Sequence, residues 1–563
     1  MDINNLIRKY ALQNAIRYDG KANIGAIIGK VLSEDPSLKG KIDEIKKLAA
    51  KIVAQVNKLG VDKQRSELEL LAPELLEKKE AKKRELPALK DAIEGKVVMR
   101  IAPYPSGPLH IGNAKPLILN DEYVKRYKGR LILAIDDTIG SEEKNVEPDA
   151  YQLIPEGCAW LGVKFHDTIF KSDRLELYYQ YALELIKKDK AYVCTCESET
   201  LRSNREKGAE CEHRRHSVIE NELLWHEMVS GKFDEGSAIL RLKTDMLHKN
   251  PAFRDRVLLR VSQRQHPRVG TKYKVWPMLE FSWAVDDHLL GMTHILRGKD
   301  LMMESEMERF IWNIFKWPQP EIIHAGLVTI AGVKISKSKS AKEVHSGAYS
   351  GWDDPRTWSL QSLRRRGIMP EAIRSFLLET GVGESETTIP IDNLYSENRK
   401  LIDSSSLRFF MVDDPIKIKI ENAPEIETHL KKHPEFPERG FRVYKTNGHF
   451  FIRKTDFESL EEGCLYRLMD CLNFKKLHGK LVFDSRELQN YKEHGKKTMH
   501  YVPANLENVN VEILMPDATT IRGLAEPLVK ELKVKDTIQF ERFGFVRLDS
   551  IENDVFKFWF THP

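Results

Sequence analysis

Apolar positions in the first part of the chain recur every three or four residues. Ile42, Ile45, Leu48, Ala49, Ile52, Val53, Val56 and Leu59 form one stripe, closed by Gly60. That period predicts an amphipathic helix, and residues 1–92 read as helical throughout. The mixed-sign run Glu77 to Leu86 reads as a solvated helix face or a hinge. At Gly95 the pattern changes. KVVMRIAP (Lys96 to Pro103) is a short apolar strand, closed by the breaker-rich segment PYPSGP. A helix is predicted from about Asn113, with Leu117, Ile118, Val124 and Tyr127 on its inner side, and then the strand LILAID (Leu131 to Asp136). Strand, glycine-containing turn, helix and strand make a βαβ unit, which requires a parallel sheet. The alternation continues with WAVDDHLL and MTHILRG as strands, Met303 to Phe315 as a helix and EIIHAGLVTI as a further strand. Residues 190–270 interrupt it and read as an insertion.

From Trp352 to Lys400 the pattern is helical again, with a stop at Gly367 and a fresh start at Pro370. Beyond Leu407 short strands alternate with turns: RFFMVDD, IKIKI, HFFIRK, KLVFDS, VNVEILM and TIQFERFGFVRLD. Such spacing predicts barrels rather than a doubly wound sheet.

Length and composition narrow the class. The 563 residues exceed one compact domain and call for about three to five. At 41% hydrophobic and 31% charged, the chain can bury several cores, so disorder does not dominate. No stretch approaches the ~20 apolar residues that span a bilayer, and the start, Met-Asp-Ile-Asn-Asn-Leu, lacks a secretory pattern. Six cysteines in so long a chain do not make a disulfide framework. The expectation is a soluble cytoplasmic protein with reduced thiols. A net charge of +5, from 89 basic and 84 acidic residues, permits a nucleic-acid partner without arguing for one.

Three constellations carry chemistry. Pro105, Ser106, Gly107, Pro108, Leu109, His110, Ile111, Gly112 and Asn113 lie where the first strand passes into the first helix, the edge at which open α/β sheets bind ligands. Gly107 allows a tight turn, Gly112 leaves room for a base or ribose, and His110 can donate to phosphate beside a helix N-terminus. More than 200 residues later, Lys334-Ile335-Ser336-Lys337-Ser338 follows a strand and Gly332. Two ammonium groups three residues apart, flanked by hydroxyls, suit a triphosphate undergoing displacement. No Gly-x-x-x-x-Gly-Lys-Ser/Thr sequence occurs, which excludes a P-loop. Finally, Cys194-Thr195-Cys196 and Cys211-Glu212-His213, with His216 nearby, supply three thiolates and an imidazole for a closed Zn²⁺ site.

The first two constellations together resemble the HIGH and KMSKS signatures of class I aminoacyl-tRNA synthetases, here HIGN and KISKS. RIAPYPSGPLHIGNAK, AIDDT, VDDHLLGMTHILRGKD, WDDPR, LRRRGIMPEAI, NLYSENRK and AEPLVKELKVKDTIQFERFGFVRLD extend the likeness to the archaeal-type glutamyl-tRNA synthetases over roughly residues 95–550. The resemblance implies a multidomain α/β plus β chain. It divides into an N-terminal helical extension (1–92), a Rossmann-type core in two halves (93–189 and 273–350), an acceptor-stem-binding insertion with the zinc site (190–272), a helical stem-contact region (351–406) and anticodon-binding β-barrels (407–563).

It also implies the reaction: L-glutamate is activated by ATP with Mg²⁺ and passed to tRNA(Glu), with tRNA(Gln) a second candidate acceptor, by a monomer that needs bound tRNA for activation. His110, Asn113, Lys334 and Lys337 would then be catalytic, with Pro105, Ser106, Gly107, Gly112, Ser336 and Ser338 completing the ATP site. Arg100, Tyr104, Asp136, Leu279 and Arg297 fall on positions that meet the amino acid; Arg297 would pair with the side-chain carboxylate and Asp136 with the α-ammonium. Four residues depart from the family pattern: Asn113 for a second histidine, Ile335 for methionine, Tyr104 for serine or asparagine, and Leu279 for a tyrosine of bacterial relatives. The rival readings are a glutaminyl-tRNA synthetase and, more remotely, a non-catalytic tRNA-binding paralogue.

Overall fold

The computed structural model describes residues 3–563 apart from 18–19, 36, 39–41, 77–84, 141–144 and 334–336. The run Glu77 to Leu86 therefore lies almost wholly outside the described residues. The chain forms two compact units, Met1–Glu85 and Leu86–Pro563.

The first unit is helical: Ile3–Arg17, Ile24–Glu34, Ile42–Val56 and Val61–Leu71. The stripe read from sequence is its core on the third helix, where Ile45, Ala49, Ile52, Val53 and Val56 are buried. They pack with Leu6, Ile7, Leu12, Ile27, Val31 and Leu68. The boundary falls seven residues earlier than the sequence reading placed it, because Leu89 is buried in the core of the second unit and its N–H donates to the Tyr127 hydroxyl (3.0 Å).

In the second unit the strands Val98–Ile101, Arg130–Ile135 and Asp167–Phe170 form a parallel sheet in that order. The helix Ile111–Arg126 makes the first crossover, with Leu117, Ile118 and Val124 buried. A second parallel pair, His294–Gly298 with Glu321–Ala325, lies beside the first strand, since the Thr293 N–H donates to the Val98 carbonyl (3.0 Å). Two of the expected elements differ. EIIHAGLVTI is two strands, Glu321–Ala325 and Val328–Ala331, and the second pairs with Thr387–Pro390. Gly326 makes the break: a Cβ there would sit 2.1 Å from the Ser385 carbonyl oxygen, so the backbones approach as only glycine permits.

WAVDDHLL is not a strand. All but its last residue, Leu290, lies in the helix Leu279–Leu289, whose residues from Glu280 to Asp287 are all buried. Phe281, Trp283 and Val285 alternate as in a strand, but a helix buried on every side has no polar face to set its period. Ala191–Cys194, Ile239–Leu242, Val257–Val261 and Val275–Pro277 form an antiparallel four-stranded sheet between the two halves of the parallel core. It runs five residues past the expected end of the insertion.

Two seven-stranded sheets follow Leu407. In one, the single segment Arg408–Asp413 pairs with Thr537–Phe540 at one end of the strand order and with Thr520–Ala525 at the other. In the other, Gly495–Met499 and Val502–Pro503 occupy the two ends. One stretch of chain pairing at both ends rolls a sheet round on itself, which removes free edges. Among the described residues no helix is long and apolar enough to cross a membrane.

Candidate active site and Cys/His cluster

Arg100, Asp136 and Arg297 sit at or just beyond the carboxyl ends of parallel strands, so the sheet delivers all three to one edge. There a cavity of about 1000 Å³ is lined by Arg100, Tyr104, Ser106, His110, Asn113, Asp136, Leu279 and Arg297 among others. Eight of the residues singled out in the sequence thus share one wall. Pro105, Gly107 and Gly112 shape the turn behind it. Lys334 and Ser336 lie outside the described residues, as do the side chains of Lys337 and Ser338. The helix Lys337–His345 that continues from that motif brings Ala341, Lys342 and His345 to the same cavity.

His110 is the N-cap of the helix Ile111–Arg126. Its Nδ1 accepts from the Gly112 N–H (3.0 Å), and the Asn113 Oδ1 accepts from the His110 N–H (3.3 Å). With Nδ1 accepting, the hydrogen belongs on Nε2, so the ring is a neutral donor at that atom. The Asn113 amide likewise keeps its NH₂ end as donor. Gly112 does not leave room for a base or ribose as expected: a Cβ there would meet His110 Cε1 at 2.9 Å, so the histidine ring takes the space. Gly107 has φ +132° with the Trp352 ring 2.8 Å from a would-be Cβ, and no side chain fits.

The amino-acid end is a charge array around Trp283, which sequence reasoning missed. Arg100 is 4.8 Å, Arg297 5.1 Å and Lys171 5.2 Å from the indole. Each cation has its own buried carboxylate. Arg100 pairs with Asp287 through Nε and Nη2, and Arg297 with Glu308 through Nη1 and Nη2 (2.7 and 2.8 Å). Lys171 pairs with Asp136 (3.1 Å) and also donates to Ser282 (2.6 Å). Three positive and three negative groups leave the array neutral before substrate enters. Burial disfavours charge on Arg100, but Asp287 more than offsets it and holds the guanidinium protonated above its usual range. Burial raises the Glu308 carboxyl, opposed by Arg297. Burial, then Asp136, raises the Tyr104 hydroxyl, which remains a donor. Arg297 Nε is buried without an acceptor. The end-on edge of that guanidinium is taken by Glu308, which leaves Nε, on the side-on edge, as its donor without a protein partner.

Cys194, Cys196, Cys211 and His213 bring their ligand atoms within 4.8 Å of one another. The Cys194 and Cys211 sulfurs are 3.8 Å apart, and His213 Nδ1 is 3.8 Å from Cys194 and 3.3 Å from Cys196. Zn–S bonds of about 2.3 Å give tetrahedral S···S edges of about 3.8 Å, so the donor set fits that ion. Thr195 Oγ1 lies 2.9 Å from His213 Nε2 and orients the ring. The hydrogen bond from Cys194, aided by Tyr192 and Arg241, pulls the Cys211 thiol below its usual range. All six cysteines are free of disulfides.

Residues 96–404 match the family model "tRNA synthetases class I (E and Q), catalytic domain", and 406–482 and 487–549 match two models of the corresponding anti-codon binding domain. The chain is similar to the glutamate–tRNA ligase of Pyrococcus furiosus, at 44% identity over 98% of each chain. It is also similar to those of Methanothermobacter marburgensis and Pyrococcus abyssi, at 41% and 43% over the full length of both chains.

Proposed function

We propose that this chain, which belongs to the class I tRNA synthetases of the glutamate and glutamine group, attaches L-glutamate to tRNA(Glu) through a glutamyl-adenylate. The observation that carries the reading is the single cavity joining the His110–Asn113 turn to two buried arginines. One end suits a triphosphate and the other an amino acid with two carboxylates. The α-carboxylate of glutamate attacks the α-phosphorus of ATP, a new C–O–P link forms, and pyrophosphate leaves with the electron pair of the broken P–O bond. His110 Nε2–H and the Asn113 amide donate to phosphate oxygens, while Lys334 and Lys337 hold the departing charge. Ser106, Ser336 and Ser338 add hydroxyl donors, and the backbone from Pro105 to Gly112 frames the nucleotide. Mg²⁺ bound with ATP would supply further positive charge to the pyrophosphate; among the described residues the grouping suited to a resident metal is the Cys/His cluster.

At the amino-acid end, Asp136 meets the α-ammonium and the side-on edge of Arg297 meets the side-chain carboxylate. Arg100, Tyr104 and Leu279 complete the pocket. A glutamine side chain would leave Arg297 facing a neutral amide, which disfavours the glutaminyl reading. The enzyme acts as a cytoplasmic monomer. Aminoacylation assays with tRNA(Glu) and tRNA(Gln), each with glutamate and with glutamine, test the reading. Glutamate on tRNA(Glu) should be the fastest pair, and a preference for glutamine on either tRNA would sink it.

Cys194, Cys196, Cys211 and His213 would hold one structural Zn²⁺, which would tie the strand Ala191–Cys194 to the following turn. Metal analysis should find about one zinc per chain, and Cys211→Ser should release it and lower the melting temperature. Protein prepared without chelator and still free of metal would refute the assignment.

A further inference from the structure

Asp137, next to Asp136 in the chain, is fully buried yet does not line the active-site cavity. Its carboxylate accepts from the Ser172 N–H (2.9 Å), the Ser172 hydroxyl (2.7 Å) and the Tyr151 hydroxyl (2.8 Å). A buried carboxylate persists where donors satisfy it in this way. Successive side chains at a strand end project to opposite faces. Here Asp136 lines the cavity, while Asp137 meets the antiparallel four-stranded sheet.

The contact is made by residues 262–274, which join the strands Val257–Val261 and Val275–Pro277. His266 and Gly270 exchange backbone hydrogen bonds (3.0 and 2.9 Å) and close the turn. His266 Nδ1 accepts from the Arg268 and Val269 N–H groups (3.2 and 3.3 Å). The ring hydrogen therefore belongs on Nε2, which donates to the Asp137 carbonyl (2.8 Å). The ring is buried and stacks on Trp276, with centroids 5.0 Å apart. Burial pulls the imidazole below its usual range, so it stays neutral and keeps that tautomer. Arg264 Nη2 donates to the Ile139 carbonyl (2.5 Å). Arg268 donates to the Ser172 hydroxyl (2.9 Å) and to Asp173 (3.0 Å), and its guanidinium lies 3.7 Å from the Phe170 ring. Between Phe170 and Ser172 stands Lys171, the partner of Asp136. One turn thus holds both the backbone that carries Asp136 and the segment whose ammonium pairs with its carboxylate.

We propose that His266 is a positioning residue for amino-acid binding: through the Asp137 carbonyl it fixes the direction of the Asp136 carboxylate that meets the substrate's α-ammonium. Arg268 supports the same carboxylate through Ser172 and Lys171. Neither side chain lines the cavity, so both act through others. The role of Asp136 is that of the functional reading above, and the inference rests on it. His266→Phe keeps a ring on Trp276 and removes the hydrogen bond, while His266→Gln returns a donor near the place of Nε2. Arg268→Gln is made as well, because that side chain is 29% exposed and its loss puts folding less at risk. The measurement is tRNA-dependent pyrophosphate exchange by full-length protein at saturating tRNA, with glutamate and ATP varied separately.

His266→Phe should raise the KM for glutamate about tenfold, the effect of roughly one lost hydrogen bond. The KM for ATP and kcat should stay within about twofold, since ground-state binding of one substrate is what is lost. Arg268→Gln should raise the glutamate KM by about threefold, and His266→Gln should recover most of the parent value. A general loosening of the fold would move both substrates, so glutamate and ATP KM values that rise together overturn the proposal. Asp136→Asn, assayed beside the others, separates this inference from the reading beneath it. A normal glutamate KM in Asp136→Asn would overturn the assignment of Asp136 and this inference with it. A raised value there, with normal values in both His266→Phe and Arg268→Gln, would overturn this inference alone.

Discussion

Arg297→Gln should reduce the preference for glutamate over glutamine by two to three orders of magnitude in kcat/KM. Arg297 is 5% exposed, so a substrate carboxylate that reaches its side-on edge gives up most of its hydration. Left without the cation, that carboxylate is desolvated and unpaired, at about 3–5 kcal/mol, and each 1.4 kcal/mol is about tenfold. Glutamine carries no such charge and should lose far less. Glu308 complicates the experiment, because the variant also strips it of its partner. Burial already raises this carboxyl, so protonation absorbs part of the cost, and the rest shows as lower thermal stability. The double variant Arg297→Gln/Glu308→Gln should recover that stability without recovering discrimination. Equal losses for the two amino acids in a folded double variant would mean Arg297 does not read the side chain.

What the sequence made legible was local. The βαβ start, the glycine-bearing HIGN turn and the C-x-C and C-x-H pairs each announce themselves within a few residues, and the structure gathers each into one place. The charge array was not legible. Arg100 and Asp287 are 187 residues apart, and Lys171 and Ser282 111. Nothing near any of them marks the pairing. Trp283 could have been noticed as a bulky aromatic flanked by the acidic pair Asp286-Asp287. However, strand-like alternation at Phe281, Trp283 and Val285 hid the helix that makes the grouping possible. Strands after Leu407 were countable from turn signals. Their closure through Arg408–Asp413 depends on one segment meeting partners more than 100 residues downstream, which no local pattern encodes.

Lys337→Ala should lower the rate of adenylate formation by about 10²–10³ while leaving tRNA affinity nearly intact. The donors of the HIGN turn explain why so much rests on this side chain. His110 has committed Nδ1 to the Gly112 N–H, so it offers phosphate a neutral Nε2–H and no full charge. Asn113, where relatives have a second histidine, is neutral as well, and its Oδ1 is already on the His110 backbone. Protein charge for the departing pyrophosphate is therefore expected from the KISKS lysines and the helix that follows them. There Lys342, one turn beyond Lys337–Lys339 on the helix Lys337–His345, also lines the wall. A cation placed where charge builds up in the transition state is worth about 2.7–4 kcal/mol by comparison with a lost oxyanion donor, and a single methylene-linked neighbour does not replace it. Lys342→Ala should accordingly cost less, within about tenfold. The measurement is single-turnover, tRNA-dependent adenylation at saturating ATP for both variants. Near-normal turnover in Lys337→Ala, or a larger loss in Lys342→Ala, would move the charge-stabilising role off the KISKS lysine and onto the helix that follows it.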